Sequence, residues 1–335
     1  MKVFTRDYRI TGDYPSAFTR YFGNMKPCVF DIETTGLDAY RCKVCLTAML
    51  TRTESGVRIT QFLAENHYEE NRVIQATMDF FESEGIDYLI TFNGQAFDVP
   101  FMNRRMEYTF MDGRISMFNF DLYKLLSKGT DLRKHLSSLS QKSLENYYGI
   151  LDDRNDVITG RESVTMFNEY AVTGNSTLEK IILTHNREDV LHLHRLMFLS
   201  ITDIEDFDSA IASVGFPLLE GKYSVRPHLS SARKLLRIRG DQLQDAVSAA
   251  FFPDLESNIT ALFNSASSAY EIDIPVGCLN TSNGIEFYFD AEAEGIDLSD
   301  DPDCINGFLI LNPRTVNLAA ARLTEKVISR ITPCF

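Results

Sequence analysis

Residues 28–33, CVFDIE, form a strand-type apolar run that ends in two acids two positions apart. In a β-strand, residues i and i+2 leave the same face, so Asp31 and Glu33 project together while Ile32 points away. Neighbouring carboxylates repel, and burial makes their charged forms costlier, so this strand end needs a cation or, without one, protons. A small cluster of oxygen ligands suits Mg²⁺ or Mn²⁺ rather than zinc. The strand must be central enough to be apolar and must still deliver its end to a site.

The chain has 335 residues and 44% hydrophobic content, enough for a full core and by length more than one domain. Around CVFDIE, β-type runs at about 43–51 and 57–63 give a meander. NRVIQATMDFFES has helical spacing, and IDYLITFNG reads as a strand closing on Asn-Gly. Before them the opening residues read as irregular. Farther on, AFDVPFMNRRMEY predicts a helix entered near Pro100, FNFDLYKLLSK a short strand turning into a helix, and QKSLENYYGI a helix closed by Gly149. Residues 176–200 carry Leu178, Ile181, Ile182, Val190, Leu193, Leu196 and Met197 on helical periods, with Ser176 and Glu179 at capping-box spacing. After residue 200, ITDIEDFDSA reads as an acidic loop, NITALF, AYEIDIPVG and GIEFYFDAEA as strands, and TVNLAAARLTEKVISRI as a terminal helix. The expected division is residues 1–205 and residues 206–335.

No apolar run reaches the length of a membrane span and the N-terminus lacks a secretory pattern, so the expectation is a cytoplasmic protein with no membrane partner. The six cysteines are too sparse for a disulfide scaffold and read as reduced thiols. The Cys42–Cys45 pair lacks a second pair at zinc spacing and reads as structural.

Two further acids join the first pair. Asp98 follows the strand YLITFNG, just past Asn93 and Gly94, and Asp189 lies one helical turn after His185 in HNREDVLHLH. A carboxylate on a helix so rich in apolar residues is out of place without a partner. DIETTGL, FNGQAFDVPF and HNREDV, in that order, resemble the three exonuclease motifs of the DEDD superfamily of 3′–5′ exonucleases. Within it, they resemble the bacterial branch related to the exonuclease domain of B-family DNA polymerases. The likeness covers roughly residues 26–200.

The resemblance implies an α/β fold, a ribonuclease H-like mixed five-stranded sheet flanked by helices, followed by a smaller acidic α+β C-terminal domain. It implies that Asp31, Glu33, Asp98 and Asp189 hold two divalent ions, Mg²⁺ or Mn²⁺, at the scissile phosphate. His185 stands four positions before Asp189, the spacing of one subgroup with the residue type of another, and would orient or deprotonate the attacking water. A structural histidine is the alternative, and Asn186 is a second candidate. Thr34, Thr35, Gly36 and Leu37 would lie against the 3′-terminal nucleotide, with Gly36 permitting close backbone approach. Asn93 and Phe97 would line the same slot. A purely structural turn is the alternative for Thr34 and Leu37, and core packing for Phe97.

The formal net charge of −14 excludes a surface that attracts nucleic acid everywhere. Residues 201–335 hold 20 acids and 10 bases, against 27 and 23 in residues 1–200, so the acidity lies toward the C-terminus. Within it, residues 221–240 carry six Lys and Arg and no acid, and a helix through 229–239 would set Arg233 and Arg237 one turn apart as a phosphate track. A solvated face paired with acids elsewhere is the alternative. Residues 284–304 hold eight acids and no base and read as soluble surface. The functional expectation is a metal-dependent 3′–5′ exonuclease acting on the 3′ end of a DNA or RNA single strand. Its rival is a catalytically silent nucleic-acid- or protein-binding module on the same fold.

Overall fold

The computed structural model describes residues 1–10, 14–155, 158–254, 257–282, 284–311 and 316–331. The chain divides into two compact units, Met1–Glu205 and Asp206–Phe335.

The first unit is built on strands β1 (Lys2–Tyr8), β2 (Pro27–Thr34), β3 (Val44–Thr53), β4 (Gly56–Leu63), β5 (Tyr88–Thr91) and β6 (Phe118–Asp121). Among the described residues they form a six-stranded sheet in the order β1-β4-β3-β2-β5-β6. The meander β2-β3-β4 is antiparallel, whereas β5 and β6 run parallel to β2, so the sheet is mixed with β2 near its middle. The expected five strands become six because the opening residues, read as irregular, pair along β4 from Lys2↔Leu63 to Tyr8↔Val57. The signal was hidden because KVFTRDY is an edge strand, exposed at Val3, Thr5, Arg6 and Asp7 and without a clean apolar alternation.

Helices α1 (Ser16–Phe22), α2 (Glu70–Ser83), α3 (Asp98–Tyr108), α4 (Leu122–Gly129), α5 (Leu132–His135), α6 (Gln141–Tyr147), α7 (Gly160–Thr173) and α8 (Ser176–Thr202) complete the unit. Cys28, Phe30 and Ile32 join the main core with Val73, Ile74 and Phe81 of α2 and with Phe101 and Met102 of α3. The alternate face of β2, bearing Asp31, meets α8 through Asn186. Strand alternation thus turns Cys28, Phe30 and Ile32 to one face of the sheet and Asp31 and Glu33 to the other.

The α8 cap differs from the expected Ser176–Glu179 box. Asn175 caps the helix by accepting the Thr177 N–H at 2.8 Å, while Glu179 accepts from the Tyr170 hydroxyl at 2.9 Å and from Lys2 Nζ at 2.5 Å. The capping box lies in α7, where Glu162 N–H donates to Thr159 Oγ1 at 3.3 Å and Thr159 N–H donates to Glu162 Oε2 at 2.7 Å.

The second unit holds α9 (Phe207–Val214) and strands β7 (Phe216–Leu218), β8 (Tyr223–Ser230), β9 (Leu235–Asp241), β10 (Ala249–Phe251), β11 (Thr260–Asn264) and β12 (Ala269–Pro275). It continues with β13 (Gly277–Thr281), β14 (Gly284–Asp290), β15 (Cys304–Ile305), β16 (Phe308–Leu311) and α10 (Val316–Ile331). The strands form sheets ordered β10-β11-β12-β9-β8-β7 and β13-β14-β16-β15. Part of the acidic stretch read as loop is α9, capped by Asp206, which accepts the Ser209 N–H at 3.0 Å. The helix expected at 229–239 is a hairpin of β8 and β9. Leu236, Ile238 and Gly240 are buried while Arg237 and Arg239 alternate outward, a period of two that the basic composition obscured.

The acidic run at 284–304 is partly internal. Buried Glu294 accepts from Ser257 Oγ at 2.8 Å and from Asn258 Nδ2 at 2.9 Å, and Asp301 and Asp303 pair with Arg322 at 2.5 and 2.6 Å. Cys28, Cys42, Cys45, Cys278 and Cys304 are free thiols, and Cys334 lies outside the described residues. No helix among the described residues is long and apolar enough to cross a membrane.

Candidate metal centre

Three elements converge on the strand end that carries Asp31 and Glu33. Strand β2 presents both acids, α3 begins at Asp98, and α8 presents His185, Asn186 and Asp189 on successive turns. Asp98 Oδ1 accepts the Ile32 N–H at 3.1 Å, which fixes the first turn of α3 between the two acids of β2. Asn186 Nδ2 donates to Asp31 Oδ2 at 2.8 Å, and Gln61 on β4 holds that amide by donating to Asn186 Oδ1 at 2.9 Å.

His185 Nε2 lies 3.5 Å from Glu33 Oε1 and 3.6 Å from Asp189 Oδ2. Glu33, His185 and Asp189 each offer one donor atom, and the three donors lie within 4.8 Å of one another. Asp189 Oδ1 pairs at 2.5 Å with Arg154, whose guanidinium also donates to Glu145 at 2.9 and 3.1 Å. Arg154 and Glu145 are almost wholly buried, and Glu145 lies 3.6 Å from His192, which lies 3.5 Å from Glu188. A second charged layer therefore backs the first along α8.

The electrostatics follow from burial and crowding. Burial pushes Asp31 well above the usual carboxylate range, and the charges of Asp98, Asp189 and Glu33 add to it, against the Asn186 amide. Glu33 is pushed up to about 7 by burial. Asp189 and Asp98 push in the same direction, and His185 and a hydrogen bond from Ser163 oppose them. Asp98 likewise rises to about 7, first by burial, then through Asp121 and Asp189, with the Ile32 N–H pulling back. Such a group of acids holds protons until a cation replaces them. The donor set, carboxylate oxygens with one imidazole nitrogen, fits a divalent ion.

The remaining expected site residues fall in different surroundings. Thr34 is buried and its hydroxyl donates to the Gly36 carbonyl at 2.7 Å, while Thr35 Oγ1 accepts the Lys43 N–H at 2.9 Å. At Gly36, φ is 153°, and a Cβ would sit 2.7 Å from Cys42 Sγ, so the turn itself requires glycine. Leu37 is 85% exposed and projects freely from that turn. Asn93 has φ 62°, and its N–H donates to Asp121 Oδ1 at 2.9 Å. Phe97 is half-buried against Phe101, its ring centroid 5.4 Å away, and packs on the main core.

Arg233 and Arg237 belong to the second unit. Arg233 is exposed in the β8–β9 turn, and Arg237 is clamped by Asp273 at 2.6 and 2.7 Å. Reading the sequence singled out the acids, His185 and Asn186 but missed Gln61, Ser163 and Arg154, which brace them. Of these, only Arg154 left a trace, as a base within the acid-rich stretch before α7.

One similar solved structure is the family B DNA polymerase from the hyperthermophilic archaeon Pyrobaculum calidifontis, 16% identical with a TM-score of 0.41. The alignment covers 71% of this chain and 34% of the polymerase, so the chain spans about a third of that protein's length. None of the curated proteins compared matches the chain. Residues 28–200, the stretch from the first strand of the acid pair to the end of the Asp189 helix, match the family model described as RNase_H superfamily. The chain therefore belongs to the RNase_H superfamily.

Proposed function

We propose that the chain is a metal-dependent 3′–5′ exonuclease that hydrolyses phosphodiester bonds at the 3′ end of single-stranded DNA or RNA. Superfamily membership supports a nuclease hydrolase with a nucleic-acid substrate. The observation that carries the finer reading is the crowding of Asp31, Glu33 and Asp98, two of them held near pKa 7, beside Asp189. Keeping several unneutralised carboxyls together costs stability, so a chain that keeps them has a use for the cations they gather.

Asp31, Glu33, Asp98 and Asp189 would hold two divalent ions, Mg²⁺ or Mn²⁺. Bound there, the ions supply charge neutralisation at the scissile phosphate and acidify an attacking water. The chain's own residues keep the carboxylates in place before substrate arrives. Asn186 and Gln61 fix Asp31, the Ile32 N–H fixes Asp98, and Arg154 fixes Asp189. Leu37, exposed in the turn after β2, is available to wedge against a terminal base, with Thr35, Gly36 and Asn93 as further candidate contacts. Thr34 and Phe97 are the remaining candidates for that slot. Within the second unit, the exposed Arg233 and the Asp273-paired Arg237 are candidates for phosphate contact.

The test is digestion of 3′-labelled and 5′-labelled DNA and RNA oligomers by the purified chain with Mn²⁺ or Mg²⁺. Mononucleotides should leave from the 3′ end, and Asp98→Ala should slow them by two to three orders of magnitude, on the order of the several kcal/mol a metal site supplies. Intact oligomers under all four conditions would overturn the proposal. Unchanged binding and cellular action in Asp31→Ala would favour the silent module.

A further inference from the structure

We propose that Tyr40, Tyr68 and Tyr108, with the cations beside them, form a stacking platform for the unpaired nucleotides that precede the 3′ end of a single strand. The platform lies outside the metal centre. It deepens the nuclease reading above and rests on it for the direction of the strand.

Three observations carry it. First, the rings stand in solvent: Tyr68 is 93% exposed, Tyr40 59% and Tyr108 56%. Single surface tyrosines are ordinary, but a group of exposed rings is the mark of an interaction surface. Second, each ring has a cation over it. Arg104 lies 5.1 Å from the Tyr40 centroid, Lys43 Nζ 5.7 Å from that of Tyr68, and Arg105 4.8 Å from that of Tyr108. Rings interleaved with cations suit a single strand, because bases stack on the rings while phosphates meet the charges. Arg104 pairs with Glu107 at 2.9 Å and the neighbouring Arg41 with Asp38 at 3.6 Å, but both are exposed pairs of the weak kind, and a phosphate can compete for either guanidinium.

Third, one buried ion pair gathers the segments that carry the rings. Arg105 donates to Glu70 at 2.7 Å through two nitrogens and to the Ala39 carbonyl at 3.0 Å, and Glu70 also accepts the Val44 N–H at 2.9 Å. Tyr40 follows Ala39, Lys43 precedes Val44, Tyr68 stands two residues before Glu70, and Tyr108 stands three after Arg105. The backbone under the platform is therefore fixed before a strand arrives. It also adjoins the acid strand: the Thr35 N–H donates to the Lys43 carbonyl at 2.8 Å, and the Lys43 N–H donates to Thr35 Oγ1 at 2.9 Å. Leu37 and Tyr40 share this turn, so a strand whose terminal base meets Leu37 continues over Tyr40. Stacking needs a free base face, which a duplex does not offer, and it reads no sequence because every base has one.

The experiment measures binding by the full chain in EDTA, through the fluorescence anisotropy of a labelled oligothymidylate, an abasic strand of the same length and a blunt duplex. The parent should bind the oligothymidylate about 5-fold or more tightly than the abasic strand. Tyr40→Ala and Tyr68→Ala should each weaken oligothymidylate binding by about 5-fold or more, while their affinities for the abasic strand and the duplex stay at the parent's values. Tyr40→Phe keeps the ring and should bind as the parent does. Tyr147→Ala, at an exposed tyrosine of α6, should change nothing. Unchanged binding of the abasic strand shows in the same assay that the alanine variants are folded.

Equal oligothymidylate affinities for the parent and both alanine variants, or a parent that does not distinguish the oligothymidylate from the abasic strand, overturn the platform. Digestion with Mn²⁺ is read separately. Mononucleotides released from the 3′ end by a protein without base-dependent binding overturn the platform and leave the nuclease reading standing. Base-dependent binding that the tyrosine variants lose, in a protein that digests nothing, supports the platform and overturns the nuclease reading.

Discussion

Asp98 Oδ1 accepts the Ile32 N–H at 3.1 Å, and an asparagine at this position offers the same acceptor. Asp98→Asn therefore keeps the local geometry while removing a charge whose neighbours and burial hold its carboxyl up near 7. Relative to an ordinary aspartate, that displacement is worth a few kcal/mol at most when the group must ionise. In EDTA at pH 8, Asp98→Asn should melt several degrees above the parent protein, while its metal-dependent activity is lost. A melting point equal to or below the parent's would show that the acids are not crowded against one another. Arg154 gives the opposite case. Its guanidinium lies between Asp189 and the wholly buried Glu145, so Arg154→Met strands a buried carboxylate. The cost should be about 3–5 kcal/mol in urea unfolding, the range for breaking a buried pair from one side. A loss under about 1 kcal/mol would mean that Glu145 finds a replacement partner.

Helix α8 carries both kinds of information, legible and hidden. Its apolar period was readable because seven residues repeat on one helix, and His185 and Asp189 could be placed on one face from spacing alone. Its start was misread, since both Ser176 and Asn175 are good capping residues and only the backbone geometry chooses between them. Asn175→Ala should cost about 1 kcal/mol, whereas Ser176→Ala should stay within about 0.5 kcal/mol. Paired thermal melts of the two variants check this, and the reverse order would restore the box at Ser176–Glu179. The β8–β9 hairpin was hidden differently: six bases drew attention to charge, while Leu236, Ile238 and Gly240 carried the strand alternation. Strand β1 and Gln61 escaped for a third reason. Their partners are distant in sequence, Gln61 lying 125 positions from Asn186, and no local pattern encodes such a pairing. The motif acids were visible because catalytic residue types cluster near strand ends. Their supports were not, because a glutamine or serine reads the same in any surface strand.

For the first unit as a whole, stability depends on pH through two opposing sets of groups. Asp31, Glu33 and Asp98 are raised in the folded state, so the fold binds more protons than the unfolded chain between about pH 4 and 7. Their contribution is fully present below the unfolded pKa and is lost as pH rises through the folded values. His194 works the other way. Burial, with Arg52 adding, lowers it from the usual value to about 4, so its contribution is present above about pH 6.5 and is lost on acidification. In EDTA these two slopes oppose each other. A saturating divalent ion removes the carboxylate penalty, because it binds the ionised form. The gap between melting temperatures with Mn²⁺ and with EDTA should therefore be small at pH 5 and widen steadily to pH 8. At 100 times the dissociation constant the gain approaches about 2.7 kcal/mol per site. Differential scanning calorimetry across that range measures it directly. A gap that is constant with pH would mean that the ion does not displace protons from these carboxyls, and the cage would then have to be drawn around other groups.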